Sequence, residues 1–155
     1  MTHDELLQVG AKWLNKDAPN IHYKSQLVCT ELACSGSSEI PDILGLRPQG
    51  NILIEVKVSV EDFKRDFKKK CRNPESLQIG FKRFYLIPKG LVPLDQIPAN
   101  WGLLEYDGSE IEISRHSNEF QENQRSVTFI YYSLLRRTNK PQIFDFKGRR
   151  QALTQ

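Results

Sequence analysis

A chain of 155 residues, 39% hydrophobic and 26% charged, is long enough for one sizeable core and too short for two ordinary domains. Negative mean hydropathy and the absence of any apolar run of spanning length argue against a bilayer protein. The opening Met1 to Leu7 carries two acids and lacks the layout of a secretory signal, so a cytoplasmic protein is expected. The three cysteines, Cys29, Cys34 and Cys71, are odd in number and contain no C-x-x-C pair. They read as reduced thiols, and a zinc site built from them with His22 is disfavoured.

The net charge of +3 is unevenly spread. Between Lys64 and Lys89 nine basic residues stand against two acidic ones, an excess of seven, so the remainder of the chain is net acidic. Such concentration suits a phosphate-facing surface, on which Lys64, Lys68 and Lys69 are the candidate nucleic-acid contacts. A solvated helix face is the competing account.

In chain order, Thr2 to Lys16 reads as a helix opened by a Thr2/Glu5 capping box, with Leu6, Val9 or Ala11, Trp13 and Leu14 near helical spacing. Lys24 to Ala33 is strand-like and runs into the loop Ser35-Gly36-Ser37-Ser38. Ile40 to Leu46 and Asn51 to Ser59 read as a hairpin joined by Arg47-Pro48-Gln49-Gly50. Ser59 can cap a helix in which Val60, Phe63 and Phe67 form the apolar stripe and Lys64, Arg65, Lys68 and Lys69 face outward. Arg83 to Ile87 is a fourth strand. A proline-punctuated loop leads to a second hairpin, Gly102 to Tyr106 and Glu110 to Ser114, turning at Asp107-Gly108. Ser117 to Arg125 reads as loop, Val127 to Arg137 as a closing helix, and the basic tail after Pro141 as loosely held. One domain over 1–140 with a tail over 141–155 is expected.

The third strand carries the chemistry. Ile52, Ile54, Val56 and Val58 alternate onto one face, and Leu53, Glu55, Lys57 and Ser59 onto the other. A Glu and a Lys on the same face of a central strand are costly without compensation. An ion pair between them is the simplest account. Pro41-Asp42, on the strand that pairs with this one, changes the balance. If Asp42 lies opposite Lys57, all three side chains share a face. Two carboxylates about 5 Å apart repel by roughly 3 kcal/mol at an effective dielectric near 20, and a divalent cation relieves that repulsion. Mg²⁺ is commonly held in this way, by one or two carboxylates with water and substrate phosphate. The lysine beside them can orient or deprotonate a water, or stabilise charge building on the phosphate.

Pro41-Asp42 followed by Glu55-Val56-Lys57 at the end of a hairpin, after a helix and strand and before another helix, resembles the PD-(D/E)XK nuclease superfamily. A longer stretch is similar to the MmcB-type DNA-repair proteins and related phage nuclease-like proteins. It comprises Glu55-Val56-Lys57-Val58-Ser59, Asp62-Phe63, Asp66, Arg83-Phe84-Tyr85-Leu86-Ile87-Pro88, Ile97-Pro98 and Gly102-Leu103, about residues 27–106. The resemblance implies an α/β fold with a restriction-endonuclease-like αβββαβ core, a central mixed sheet flanked by helices. It implies metal binding by Asp42 and Glu55, catalysis by Lys57, Mg²⁺ or Mn²⁺ as cofactor, and DNA binding without turnover in Ca²⁺.

Members of the superfamily often supply a further acid. Glu31 is preferred, because it ends a strand adjacent to the hairpin. Glu5 already has a capping role, and Glu39 ranks third. Cys71 to Gly80 departs from the family pattern as an inserted loop, in which Gln78 could touch substrate. Asp62 and Asp66 have a structural account, helix-dipole stabilisation and pairing with Lys69 or Lys70. Trp13 and Trp101 read as core, and no Cys or His stands at nucleophile spacing.

The expected function is metal-dependent hydrolysis of DNA phosphodiester bonds, in repair or in phage or restriction DNA processing. DNA is the expected partner, with a homodimer or a larger repair or restriction complex as the assemblies considered. The rival is a non-catalytic nucleic-acid-binding or interaction module of the same fold.

Overall fold

The turn Arg47 to Gly50 sets the architecture. The Gly50 N–H donates to the Arg47 carbonyl at 3.2 Å, and the Asn51 side-chain oxygen accepts from the Arg47 N–H at 3.1 Å. Pro48 thus takes the second turn position, where its fixed φ is pre-set, and Gly50 the fourth, at φ +119°, where an L side chain would be strained. The turn joins β2 (Ile43–Leu46) to β3 (Ile52–Val56), paired antiparallel with Ile43 opposite Ile54 and Leu44 opposite Leu53. The computed structural model describes residues 1–19, 22–37, 39–69, 78–138, 143–144 and 150–151.

β1 (Leu27–Thr30) flanks β2 as an antiparallel edge strand. On the other side of β3 lie β4 (Lys82–Pro88), parallel to β3, and β5 (Gly102–Tyr106), parallel to β4, and then β6 (Ile111–Arg115), antiparallel to β5. The six strands form one mixed sheet in chain order. Because β3 and β4 are parallel, the chain must cross over between them. It begins that crossing with α2 (Val60–Asp66), opened by Ser59, whose hydroxyl accepts from the Asp62 N–H at 3.2 Å.

α1 (His3–Lys12) carries the expected capping box and runs on into a π-helical turn, Trp13–Asp17. Leu6, Leu7, Trp13 and Leu14 pack on one sheet face against Ile43, Ile52, Ile54, Val56, Phe84 and Leu86. The approach is close at Gly10, where an added Cβ would stand 2.6 Å from Leu86 and 2.7 Å from Ile43. The opposite face carries Leu44, Leu53, Tyr85 and Leu103, covered by Phe63 of α2, Trp101 and Ile130 of α3 (Gln124–Thr138). Trp13 and Trp101 are both core, as expected.

Several expectations need correction. α2 stops at Asp66 rather than continuing through Lys69. The next residues form a tighter turn, in which the N–H groups of Lys68 and Lys69 donate to the carbonyls of Arg65 and Asp66, each at 3.1 Å, and Phe67 is left 43% exposed. The tail is not wholly irregular, since Ile143–Phe144 pairs antiparallel with Arg150–Gln151. Its other residues, and those at 71–77 of the proposed inserted loop, lie outside the described residues. Gln78 forms an isolated parallel bridge with Glu122. No helix among the described residues is long and apolar enough to cross a membrane.

Candidate active site at the ends of β2 and β3

The β2/β3 register differs from the one that would set Asp42 opposite Lys57. With Ile43 opposite Ile54, one further step brings Asp42 level with Glu55. The slip is two residues, and a slip of two preserves side-chain parity, so Asp42, Glu55 and Lys57 still share a face. Placing Pro48 rather than Gln49 at the second turn position moves the ladder by that amount.

Asp42 stands just before β2, and its Oδ2 accepts from the Val56 N–H at 2.8 Å. The carboxylate thereby closes the hairpin where the regular ladder ends. Lys57 follows β3 directly; its N–H donates to the Leu86 carbonyl at 3.0 Å, which holds the residue beside β4. Its Nζ lies 3.2 Å from Glu55 Oε2, 3.5 Å from Asp66 Oδ1 and 3.7 Å from Asp42 Oδ2. Three carboxylates from three parts of the chain therefore converge on one ammonium. Glu55 and Lys57 are buried, at 1% and 4% exposure. At 3.2 Å the gross attraction is about 5 kcal/mol at an effective dielectric near 20, of the same order as the cost of desolvating each ion.

Asp66 is the member that sequence reasoning assigned only a structural role. It does pair with Lys69, at 2.9 Å, as one of the two partners considered for it. It is also buried at 1% exposure, accepts from the Tyr85 hydroxyl at 2.5 Å through Oδ2, and meets Lys57. The available signal was its position three residues after Phe63, on the buried stripe of α2 rather than the solvent face. Tyr85 was also missed. Its parallel pairing partner is Glu55, so it projects on the same face.

None of the acids considered for the extra position pairs with Lys57 among the described residues. Glu31 donates its N–H to the Asp42 carbonyl at 3.0 Å. Its backbone turns to φ +49°, and its exposed side chain makes no ion pair among the described residues. Glu5 is occupied in the capping box. Glu39 is buried and accepts from the Ile79 N–H at 3.4 Å. His3 joins the rim instead, with Nε2 3.7 Å from Asp42 Oδ2. Lys64 and Lys68 are exposed, and Lys69, 51% exposed, also reaches to 3.9 Å from Glu55 Oε2.

Among the described residues no group of three His, Cys, Asp or Glu side chains forms a ready-made metal cage. The donor chemistry nevertheless fits Mg²⁺ or Mn²⁺. Asp42 and Glu55 are hard carboxylates gathered at one cation, and Mg²⁺ needs only one or two such ligands when water and phosphate complete its shell. A thiolate at Cys29 is disfavoured, since burial pushes its thiol up to about 11. The His116 Nδ1 is engaged with the Tyr23 hydroxyl at 2.5 Å.

A family model described as DNA repair protein MmcB-like matches residues 19–132. The chain belongs to the MmcB-like DNA repair protein family. The match spans the whole site except His3, from Asp42 through Tyr85, and assigns this MmcB-like chain a role in DNA repair. A search of curated proteins returns no match. Among solved structures, a protein of unknown function from Silicibacter pomeroyi is similar, with 24% identity and a TM-score of 0.53 over 72% of this chain and 76% of that one. That likeness concerns the fold alone.

Proposed function

We propose that this MmcB-like protein is a metal-dependent deoxyribonuclease of the PD-(D/E)XK type. The carrying observation is the convergence of Asp42 and Glu55 on the Lys57 ammonium, on one sheet face, at the end of a hairpin that leads into a helix. The element order α1-β1-β2-β3-α2-β4 follows the αβββαβ order that the resemblance implies and supports the same reading. Asp42 and Glu55 would hold Mg²⁺ or Mn²⁺, which supplies a nucleophilic water and neutralises charge on the scissile phosphate. Lys57 Nζ, already fixed among carboxylates, orients that water or donates to the phosphoryl oxygen on which charge builds. The Val56 N–H holds Asp42 in place, and the Tyr85 hydroxyl holds Asp66. Lys64 and Lys68, exposed along and just after α2, take the DNA backbone.

The test is incubation of the purified chain with single-stranded, duplex, flapped and branched DNA in Mg²⁺ or Mn²⁺, alongside calorimetric metal titration. Metal-dependent cleavage of at least one form is expected. Absence of both metal binding and cleavage would leave a non-catalytic DNA-binding module as the correct description.

A further inference from the structure

Two lysines serve the buried acids, and they are physically unlike. Lys57 is 4% exposed and stands within 3.7 Å of three carboxylates. Lys69 is half-exposed, at 51%, and enters from outside. Its Nζ lies 2.9 Å from Asp66 Oδ1 and 3.9 Å from Glu55 Oε2. It follows the end of α2 in a turn, one residue after the exposed Lys68. A lysine on a four-carbon stem at such a place can turn from the acids to solvent by rotating its side chain alone.

Glu55 Oε2, already 3.2 Å from the fixed Lys57 Nζ, therefore has two further claimants, the Lys69 ammonium and the divalent ion of the proposed nuclease site. A dication and an ammonium brought to the same carboxylate oxygen repel each other. Occupancy by one must weaken occupancy by the other. A released ammonium next to Lys68 is in turn well placed for a phosphate of bound DNA.

We propose that Lys69 is an exchangeable counter-ion. It neutralises Glu55 and Asp66 while the site holds no metal, and transfers to the DNA backbone when a divalent ion binds, so that metal and DNA favour each other's binding. The inference rests on the nuclease reading and adds to it a residue that couples the two ligands. Coupling of this kind is reciprocal: whatever factor DNA adds to metal affinity, metal adds to DNA affinity.

The experiment compares the unaltered chain with Lys69→Met and Lys69→Arg. Ca²⁺ is the probe metal, and a fluorescent DNA duplex is titrated across a range of NaCl concentrations. In Ca²⁺, the slope of log affinity against log salt should be shallower for Lys69→Met than for wild type by about one unit, the signature of one lost phosphate contact. Without divalent ion the two slopes should coincide, because Lys69 is then held by Glu55 and Asp66. Calorimetry should show several-fold tighter Ca²⁺ binding to free Lys69→Met than to wild type. Lys69→Arg should behave like wild type in each measurement. A slope difference of equal size with and without Ca²⁺ would make Lys69 an ordinary surface contact and overturn the exchange. Coincident slopes in both conditions would make it a fixed structural ion pair, with the same result. Failure of wild type to bind Ca²⁺ at all would defeat the underlying nuclease reading, an outcome distinct from either. Thermal melting of both variants checks that the fold is retained.

Discussion

Tyr85 donates its hydroxyl proton to Asp66 at 2.5 Å, joining a parallel strand of the central sheet to the last residue of the helix that crosses above it. Both residues are buried, at 0% and 1% exposure, so the bond forms away from water, and a phenol to a charged acceptor makes one of the stronger side-chain hydrogen bonds. Tyr85→Phe keeps the ring that packs on Phe63 and Trp101 and removes only this donor. Urea denaturation should show a loss of about 1.5–3 kcal/mol. A loss below about 0.5 kcal/mol would mean that Asp66 is held adequately by its lysines.

Lys57 compensates three acids at once, so its removal should be felt before any chemistry is considered. Among the described residues, Lys57→Met preserves the aliphatic stem and leaves the half-exposed Lys69 as the remaining lysine at Glu55 and Asp66, and Asp42 with His3 at the rim. Breaking a buried ion pair by removing one partner costs about 3–5 kcal/mol, and Lys69, which still pairs with Asp66 at 2.9 Å, offsets part of that loss. Loss of cleavage is expected as well, with metal binding retained, since the lysine does not ligate the ion. Ca²⁺ should restore more stability to Lys57→Met than it adds to wild type, because the dication replaces the missing ammonium. Equal Ca²⁺-induced shifts in the melting temperature of both proteins would contradict that account.

The hairpin that presents the site was legible because strand periodicity is local. Ile52, Ile54 and Val56 declare one face, and Glu55 and Lys57 therefore the other. Axial register was less legible, because it depends on which residue occupies the second turn position. Taking Gln49 instead of Pro48 displaces the ladder by two residues yet leaves every face unchanged. Asp66 and Tyr85 were not recognised as site residues for a different reason. Their meeting depends on β4 lying parallel beside β3 and on α2 docking over both, and no short window of sequence contains those facts. Glu31 read as the end of a strand, and such a strand would carry its carboxylate toward Asp42. The Glu31 N–H does donate to the Asp42 carbonyl, one step on from the Thr30/Ile43 pair, but the backbone turns to positive φ there, and the alternation of a regular strand no longer sets where its side chain points.

The second hairpin gives a test of pH dependence. Asp107 Oδ1 accepts from the N–H of Glu110 at 3.0 Å, the N–H of Ser109 at 2.8 Å and the Ser109 hydroxyl at 2.8 Å. These bonds, the one from Glu110 foremost, hold its carboxyl down to about 2. A carboxylate depressed in the folded state stabilises fully above its unfolded pKa, about 4, and that contribution is lost as pH falls through about 2. The stability gap between wild type and Asp107→Ala, read from urea midpoints, should be constant above about pH 5 and close between about pH 4 and about pH 2. A gap that stays constant down to about pH 2 would show that the bonds do not depend on ionisation.

The decisive variants for function are Asp42→Asn and Glu55→Gln. Each nearly preserves side-chain volume and removes one charged ligand. The amide oxygen that Asp42→Asn introduces can still accept the Val56 N–H, so the hairpin end should stay closed. In Glu55→Gln, Lys57 keeps Asp42 and Asp66 as partners, so the fold should survive. Cleavage should fall by a factor of about 10³ or more in both, which corresponds to a loss of roughly 4 kcal/mol of transition-state stabilisation. Ca²⁺ affinity measured by calorimetry should fall in parallel, while DNA binding without divalent ion persists, because the proposed phosphate contacts are the exposed lysines rather than the acids. Retention of cleavage by either variant would remove that carboxylate from the metal site. Loss of DNA binding together with cleavage, in a protein that still melts cooperatively, would mean that the acids organise the DNA-binding surface rather than the metal.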